Sequence, residues 1–339
     1  MNSVESKKLA LSSQTNLYVF ALMAVGLASF LAGVATNPDR VWHAYLLNHT
    51  LFMGLGFGGL FFLVIHYLSS SGWAIAVRRI PEAFASYLVG AFAFTVIMFF
   101  GLSKIYPWTN HEMMISDHML HHKAAYFSTS FFVARIVIFF CLVLFFVKKM
   151  LSISLNQDQV GGIEGLNQQK KLSAAFLVVF APLFTMFAID TLKSLDPKWF
   201  STIYGVYVFI GFVQATMAMM ILVIRALQHH GYMEQVTDDH FHDLGKYLFG
   251  FSIFWAYIGV SQYLLIWYAN LPEETGFYLA RQKGQWTALS ISLPVLRFAL
   301  PFLLLLPRAA KRCGTYLSFV SVIVLIGAWV DLQDRKSVV

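Results

Sequence analysis

The chain has 339 residues, 58% of them hydrophobic, 17% aromatic and only 12% charged, with a formal net charge of +7. That composition excludes a soluble globular protein and describes a polytopic membrane protein. The basic residues are spread through loops and form no patch, so the charge points to topology and anionic lipid contact, with no nucleic acid as partner.

Apolar runs near or above the roughly 17 to 25 residues that a membrane helix needs fall at Leu17–Thr36, Ala44–Ser69, Phe84–Leu102, Tyr126–Phe146, Ala174–Leu192, Thr202–Leu227, Tyr247–Ala269, Trp286–Leu306 and Tyr316–Val330. They predict an all-α polytopic membrane protein of about nine transmembrane helices in two helix bundles, the last run being the shortest. No charged leader with a short apolar stretch and a cleavage site precedes the first run, which predicts a retained span. In the second run the glycines of GLGFGG (Gly54, Gly56, Gly58, Gly59) suit close helix packing. After it, Trp73 and Arg78–Arg79 suit an interfacial turn whose side chains reach the headgroups. The polar stretch Ser152–Lys171 (SISLNQDQVGGIEGLNQQKK) reads as a flexible linker. The expected organisation is a first bundle over 1–150, a polar linker loop over 151–173 and a second helix region over 174–339. The N-terminus and every second loop carry more Lys and Arg than the other side, among them Lys7, Lys8, Arg78, Arg79, Lys148 and Lys149, against Arg335 and Lys336 opposite. This bias places the N-terminus in the cytoplasm.

Charges inside the runs are costly and mark candidate sites. Arg135 lies in the fourth run, with snorkelling and a carboxylate partner as competing accounts. Asp190 lies near the end of the fifth, either at the interface or functional. Arg297, between Pro294 and Pro301 in the eighth, lies too deep to snorkel easily and calls for an acid, a freed helix carbonyl or a ligand. On the stretch Leu244–Thr275, which contains the seventh run, Lys246, Tyr257, Ser261 and Tyr268 fall within an arc of about 60°, with Trp255 and Gln262 roughly opposite. This stripe predicts either a polar path facing the bundle interior or interhelical hydrogen bonding. His240, His242 and Asp243 just before it suit a proton-collecting mouth, while Thr237, Asp238 or Asp239 also suit a helix N-cap.

Redox ligands are not apparent. The two cysteines, Cys141 and Cys313, form no CxxC or CxxCH motif, so the chain alone neither ligates an iron–sulfur cluster nor attaches a c-type haem. His49 and His66 share one run but lie roughly 25 Å apart, which does not suit bis-histidine haem ligation. His118 and His122 have i, i+4 spacing but no third ligand at a diagnostic distance, so no metal site is expected.

Five segments, HTLFMGLGFGGLFFLVIHYLSSSGWAIAVRRIPEA, LHHKAAYFSTSFFVARIVIFF, SLDPKWFSTIYGVYVF, DDHFHDLGKYLFGFSIFWAYIGVSQYLLIWYANLPEET and PFLLLLPRAAKR, together resemble the F subunit of bacterial alternative complex III, from about Leu46 to Arg312. The resemblance implies a multi-pass subunit of a quinol:electron-acceptor oxidoreductase in the bacterial inner membrane. Haem c would lie in multihaem cytochrome c partners and the iron–sulfur clusters in an iron–sulfur subunit. A paralogous C-type membrane subunit, of the polysulfide-reductase family, would hold the quinol site. F subunits are implied to be structural and proton-conducting, without a redox cofactor of their own and with membrane lipid around them, hence non-catalytic in isolation. Two positions depart from the pattern: Phe200 stands where the C-type relative carries a quinol-contacting histidine, and Arg297 where F-type relatives carry a histidine. The family pattern of about ten spans also implies one further helix, absent here or supplied by another chain. The proton path expected on these grounds comprises Asp190, His240, His242, Asp243, Lys246, Tyr257, Ser261 and Tyr268. The alternatives are a quinol-binding catalytic subunit with His66, Asp190 or Trp199 at the head group, and an independent secondary transporter.

Overall fold

The computed structural model describes residues 12–284 and 286–334; Lys7, Lys8, Arg335 and Lys336 lie outside them. The described residues are mostly helical, without strands, and contain nine helices long and apolar enough to cross a membrane. These are Ser13–Thr36, Pro38–Leu68, Arg79–Ile105, Thr129–Val160, Glu164–Leu195, Tyr204–His229, Asp238–Ala269, Trp286–Leu305 and Gly314–Asp334, the first to ninth spans.

The second and sixth spans are the central helices. Each is apolar on all sides, and each is buried over most of its length, as expected when a helix has no polar face to turn outward. They approach closely because Gly58 lies against Thr216 and Gly54 against the Phe212 ring, where a Cβ would collide. The GLGFGG stretch is thus a packing seam. Around the second span the third, fourth and fifth assemble a phenylalanine core: the Phe57 ring is 5.5 Å from Phe139, 5.6 Å from Phe184 and 5.7 Å from Phe187. Around the sixth span, Leu244 and Leu248 of the seventh, Leu305 of the eighth and Leu317, Val320 and Val324 of the ninth meet Met217 and Ile221. The first span stands apart with no buried residue, touching the second through Phe30 against Trp42 and Tyr45.

The expected linker over 151–173 is not a loop. The fourth span runs helically to Val160 and the fifth begins at Glu164; Gly161 and Gly162, at φ +70° and +83°, make the turn between them. Polarity ended the apolar run without ending the helix, because Asn, Gln, Asp and Lys are tolerated on a solvated helix. The hairpin end is tied back by Asp158, which pairs with Arg78 at 2.8 Å and with Arg79. Glu82, buried beneath them, pairs with Arg79 and accepts from Ser154. Spans two to five are called the first helix group and spans six to nine the second; the two meet along the second and sixth spans, and the chain passes between them at residues 196–203.

The hairpin end is called the Arg78 end and the opposite one the Trp199 end. The opposite end contains the short helices between Pro107 and His121 and the helix Pro272–Arg281. There the Lys123 ammonium donates to the Pro197 carbonyl at 3.0 Å, and burial pushes its pKa below the usual lysine value.

Candidate functional site

Two buried arginine–aspartate centres lie in the half of the molecule towards the Trp199 end. In the first helix group, Arg135 of the fourth span grips Asp190 of the fifth: Nε donates to Oδ2 at 2.8 Å and Nη2 to Oδ1 at 2.9 Å. The Tyr126 hydroxyl donates to the same carboxylate at 2.8 Å, and the third arginine nitrogen donates to the Tyr126 carbonyl at 3.0 Å. The guanidinium lies 3.9 Å from the Tyr126 ring centroid and 4.3 Å from that of Phe131. Asp190 is 1% exposed. Of the accounts open for these residues, carboxylate pairing replaces snorkelling and burial replaces the interface.

In the second group Arg297 is 2% exposed. It donates to Asp331 of the ninth span at 2.6 Å, to the Gln214 side chain at 2.9 Å and to the Gly211 carbonyl at 2.9 Å. The backbone there is a π-turn, Val295–Ala299, as befits a helix that must fit prolines at 294 and 301. Pro301 has no N–H to offer the carbonyl four residues earlier, and that carbonyl, on Arg297, accepts from Gln214 Nε2 at 2.8 Å. Acid and freed carbonyl are thus both present. The Gln214 amide also donates to Ser252 at 2.8 Å, and Ser252 in turn to the Leu248 carbonyl at 2.8 Å. Nearer the Trp199 end, the Tyr207 hydroxyl donates to the other Asp331 oxygen at 2.9 Å. One turn further along the ninth span, Asp334 accepts from Arg281 at 2.6 Å and from Ser290 at 2.8 Å.

The stripe expected to form a path on the seventh span does not face the interior of this chain. Its buried face is Phe241, Leu244, Gly245, Leu248, Ser252, Trp255, Ile258, Gln262 and Ile266. The polar stripe turns outward: Tyr257 is 65% exposed and Tyr268 87%, Lys246 is exposed and Ser261 half-buried. Periodicity fixed the arc but not the direction it faces, and Trp255 and Gln262 opposite it were the inward pair. At the mouth, His240 caps the helix by accepting from the Thr237 N–H at 3.1 Å. Asp243 pairs with Lys246 at 2.6 Å, and His242 is half-buried beside them. None of these reaches Asp190, which belongs to the other helix group at the opposite end.

The head-group trio is also separated. His66 stands in the last turn of the second span, at the Arg78 end, its Nδ1 on the Phe62 carbonyl at 2.7 Å. Asp190 and Trp199 lie at the other end. Trp199 stacks on Phe277 with centroids 3.9 Å apart, and Arg281 lies 3.5 Å over the far ring of that stack. Phe200 is 52% exposed. The rings of His118 and His122 are 4.8 Å apart, and no group of three metal-binding side chains occurs among the described residues.

Sequence reasoning missed Asp331, Asp334, Arg281, Gln214, Tyr207 and Tyr126. A signal existed for the two aspartates: in VDLQD they are three residues apart, hence on one helix face, directly after an apolar run. Asp331 also supplies the acid that Arg297 required. Beside both acids lies a cavity of about 610 Å³ between the seventh, eighth and ninth spans and the helix Pro272–Arg281. Compared with known proteins, the chain matches no protein-family model and no curated protein.

Proposed function

We propose that this chain is an integral membrane subunit of a respiratory quinol-oxidising complex of the alternative complex III kind, structural in its first helix group and proton-carrying in its second. The five segments quoted above support the kind of complex. The proton-carrying role rests on one observation, the hydrogen-bonded ladder Tyr207–Asp331–Arg297–Gln214–Ser252, with Asp334 and Ser290 one turn outside it. Ionisable groups buried in a membrane segment are expensive and usually mark a path for ions or protons. Arginine is not deprotonated in proteins and holds its proton. The exchangeable sites are therefore Asp331 and Asp334, with the Tyr207 and Ser290 hydroxyls beside them.

The ladder enters from the Trp199 end and stops at Ser252, beyond which Leu248, Val213 and Met217 close the interior. It is a half-path. With the N-terminus in the cytoplasm, its open end faces the outer side of the bacterial inner membrane. Electrons travel on this reading through haem c and iron–sulfur clusters of partner subunits, beside a C-type membrane paralogue.

Affinity purification from native membranes tests the assignment: a multihaem cytochrome and a large iron–sulfur protein should co-purify, and recovery of the chain alone overturns it. In liposomes, Asp331→Asn should lower the proton-to-electron ratio of quinol oxidation while electron transfer continues. Tyr207→Phe, which keeps the ion pair, should lower it partly. An unchanged ratio in both variants removes the proton role.

A further inference from the structure

The cavity beside the second centre has the features of a binding site. Its volume of about 610 Å³ lies within the roughly 300 to 1,000 Å³ usual for small-molecule sites. Tyr207, Trp255, Tyr263, Phe277, Tyr278 and Phe298 supply aromatic walls. The seventh span packs against the eighth along Val295–Leu305, and the two part over Trp286–Pro294. The cavity sits where they part, and the exposed lining residues Val260, Tyr263 and Ile291 place its mouth on the flank of the bundle, facing the membrane.

Two polar atoms on its wall have no partner among the described residues. Trp255 is 5% exposed and Gln262 6%, yet Trp255 Nε1 and Gln262 Oε1 form no hydrogen bond. The Gln262 amide hydrogens are turned towards the Tyr278 hydroxyl, whose pKa burial pushes up to about 12, so that it remains a neutral phenol. A buried donor or acceptor without a partner carries its full desolvation cost. Here one donor and one acceptor are left on the same cavity, seven residues or about 10 Å apart along one helix. The charges on the wall are already matched, Arg281 with Asp334, and Asp331 with Arg297 behind it, each at 2.6 Å. A charged ligand gains nothing there.

We infer that this cavity binds a neutral membrane amphiphile, entering sideways from the lipid phase, whose carbonyl or ether oxygen accepts from Trp255 Nε1 and whose hydroxyl donates to Gln262 Oε1. The polar hooks lie two helical turns apart, so they meet different groups of one elongate molecule. Two sources share this chemistry: a glycerolipid with a free hydroxyl, and a hydroxylated ring on an alkyl tail, which the aromatic walls would stack. The site does not depend on the proton-carrying role of Asp331.

The test is photolabelling of the protein as purified from its membrane, in phosphatidylcholine nanodiscs. Three diazirine-tailed probes are compared: a diacylglycerol, an alkyl para-hydroxybenzoate and phosphatidylcholine itself. Saturable labelling of peptides from the seventh and eighth spans is expected for one of the first two, and which one identifies the source. Trp255→Phe and Gln262→Leu should each weaken it about tenfold, as the loss of one hydrogen bond of roughly 1.4 kcal/mol implies. Ala256→Phe, which fills the cavity from its wall, should abolish it at unchanged melting temperature. Equal labelling by phosphatidylcholine, or labelling unchanged in Trp255→Phe and Gln262→Leu, overturns the inference, since the cavity would then hold only acyl chains. If the single variants lose their cooperative melting, the labelling of the wild-type protein by the three probes still decides.

Discussion

The two arginine–aspartate centres are chemically alike and structurally unlike. Arg135 and Asp190 are closed: both carboxylate oxygens are engaged by Arg135, Tyr126 adds a third bond, and aromatic rings flank the guanidinium. Among the described residues no hydrogen bond continues from that carboxylate into the bundle core, where the phenylalanines begin. Arg297 and Asp331 are instead one rung of a series, continued inward by Gln214 and Ser252 and outward by Tyr207, with a large cavity on one flank. An isolated buried pair fixes how helices meet, whereas a connected one also provides somewhere for a proton or a ligand to go. The same residue types thus serve as a clamp in one helix group and as part of a site in the other.

The sharpest way to break that contrast is to remove one partner at a time. Arg135→Met or Arg297→Met leaves an uncompensated buried carboxylate and should cost about 3 to 5 kcal/mol in either group, seen as a large fall in melting temperature in detergent. The double replacements then separate the two. Arg135→Met with Asp190→Leu should recover most of the stability with proton-to-electron ratio intact, because a buried pair exchanged for apolar residues is often neutral. Arg297→Met with Asp331→Leu should recover stability and lose the ratio. If both doubles keep the ratio, the contrast is wrong. Removal of a single hydroxyl is a milder probe: Tyr126→Phe and Tyr207→Phe each delete a bond to a carboxylate and should cost about 1.5 to 3 kcal/mol, but only Tyr207→Phe should affect proton movement. The smallest effect belongs to Tyr257→Phe, on the outward face of the seventh span, which should stay within about 0.5 kcal/mol. A strong loss of proton movement in that variant would restore the stripe as a path.

The sequence made some elements plain. Apolar run length exposed the nine spans because the bilayer imposes one length on every helix that crosses it. The need of Arg297 for an acid or a freed carbonyl was readable from its depth and its two prolines, and the structure provides both. What stayed hidden were the partners. Asp331 is 34 positions from Arg297, Gln214 lies 83 away and Asp190 lies 55 from Arg135, and no local pattern encodes such pairings. The stretch Ser152–Lys171 misled because composition reports where a helix leaves lipid, not where it ends.

By itself, then, the sequence determined that this protein is an all-helical, multi-pass membrane protein with charged residues inside its spans, since the cost of exposing backbone and charge to hydrocarbon is local and can be read residue by residue. Only the tertiary structure decided which faces look inward, which arginine meets which aspartate, and that the inward pair of the seventh span is Trp255 and Gln262 while the tyrosine stripe faces out. Those choices follow from packing against helices distant in sequence. A period of 3.6 residues gives a helix its faces, and only its neighbours say which of them is buried.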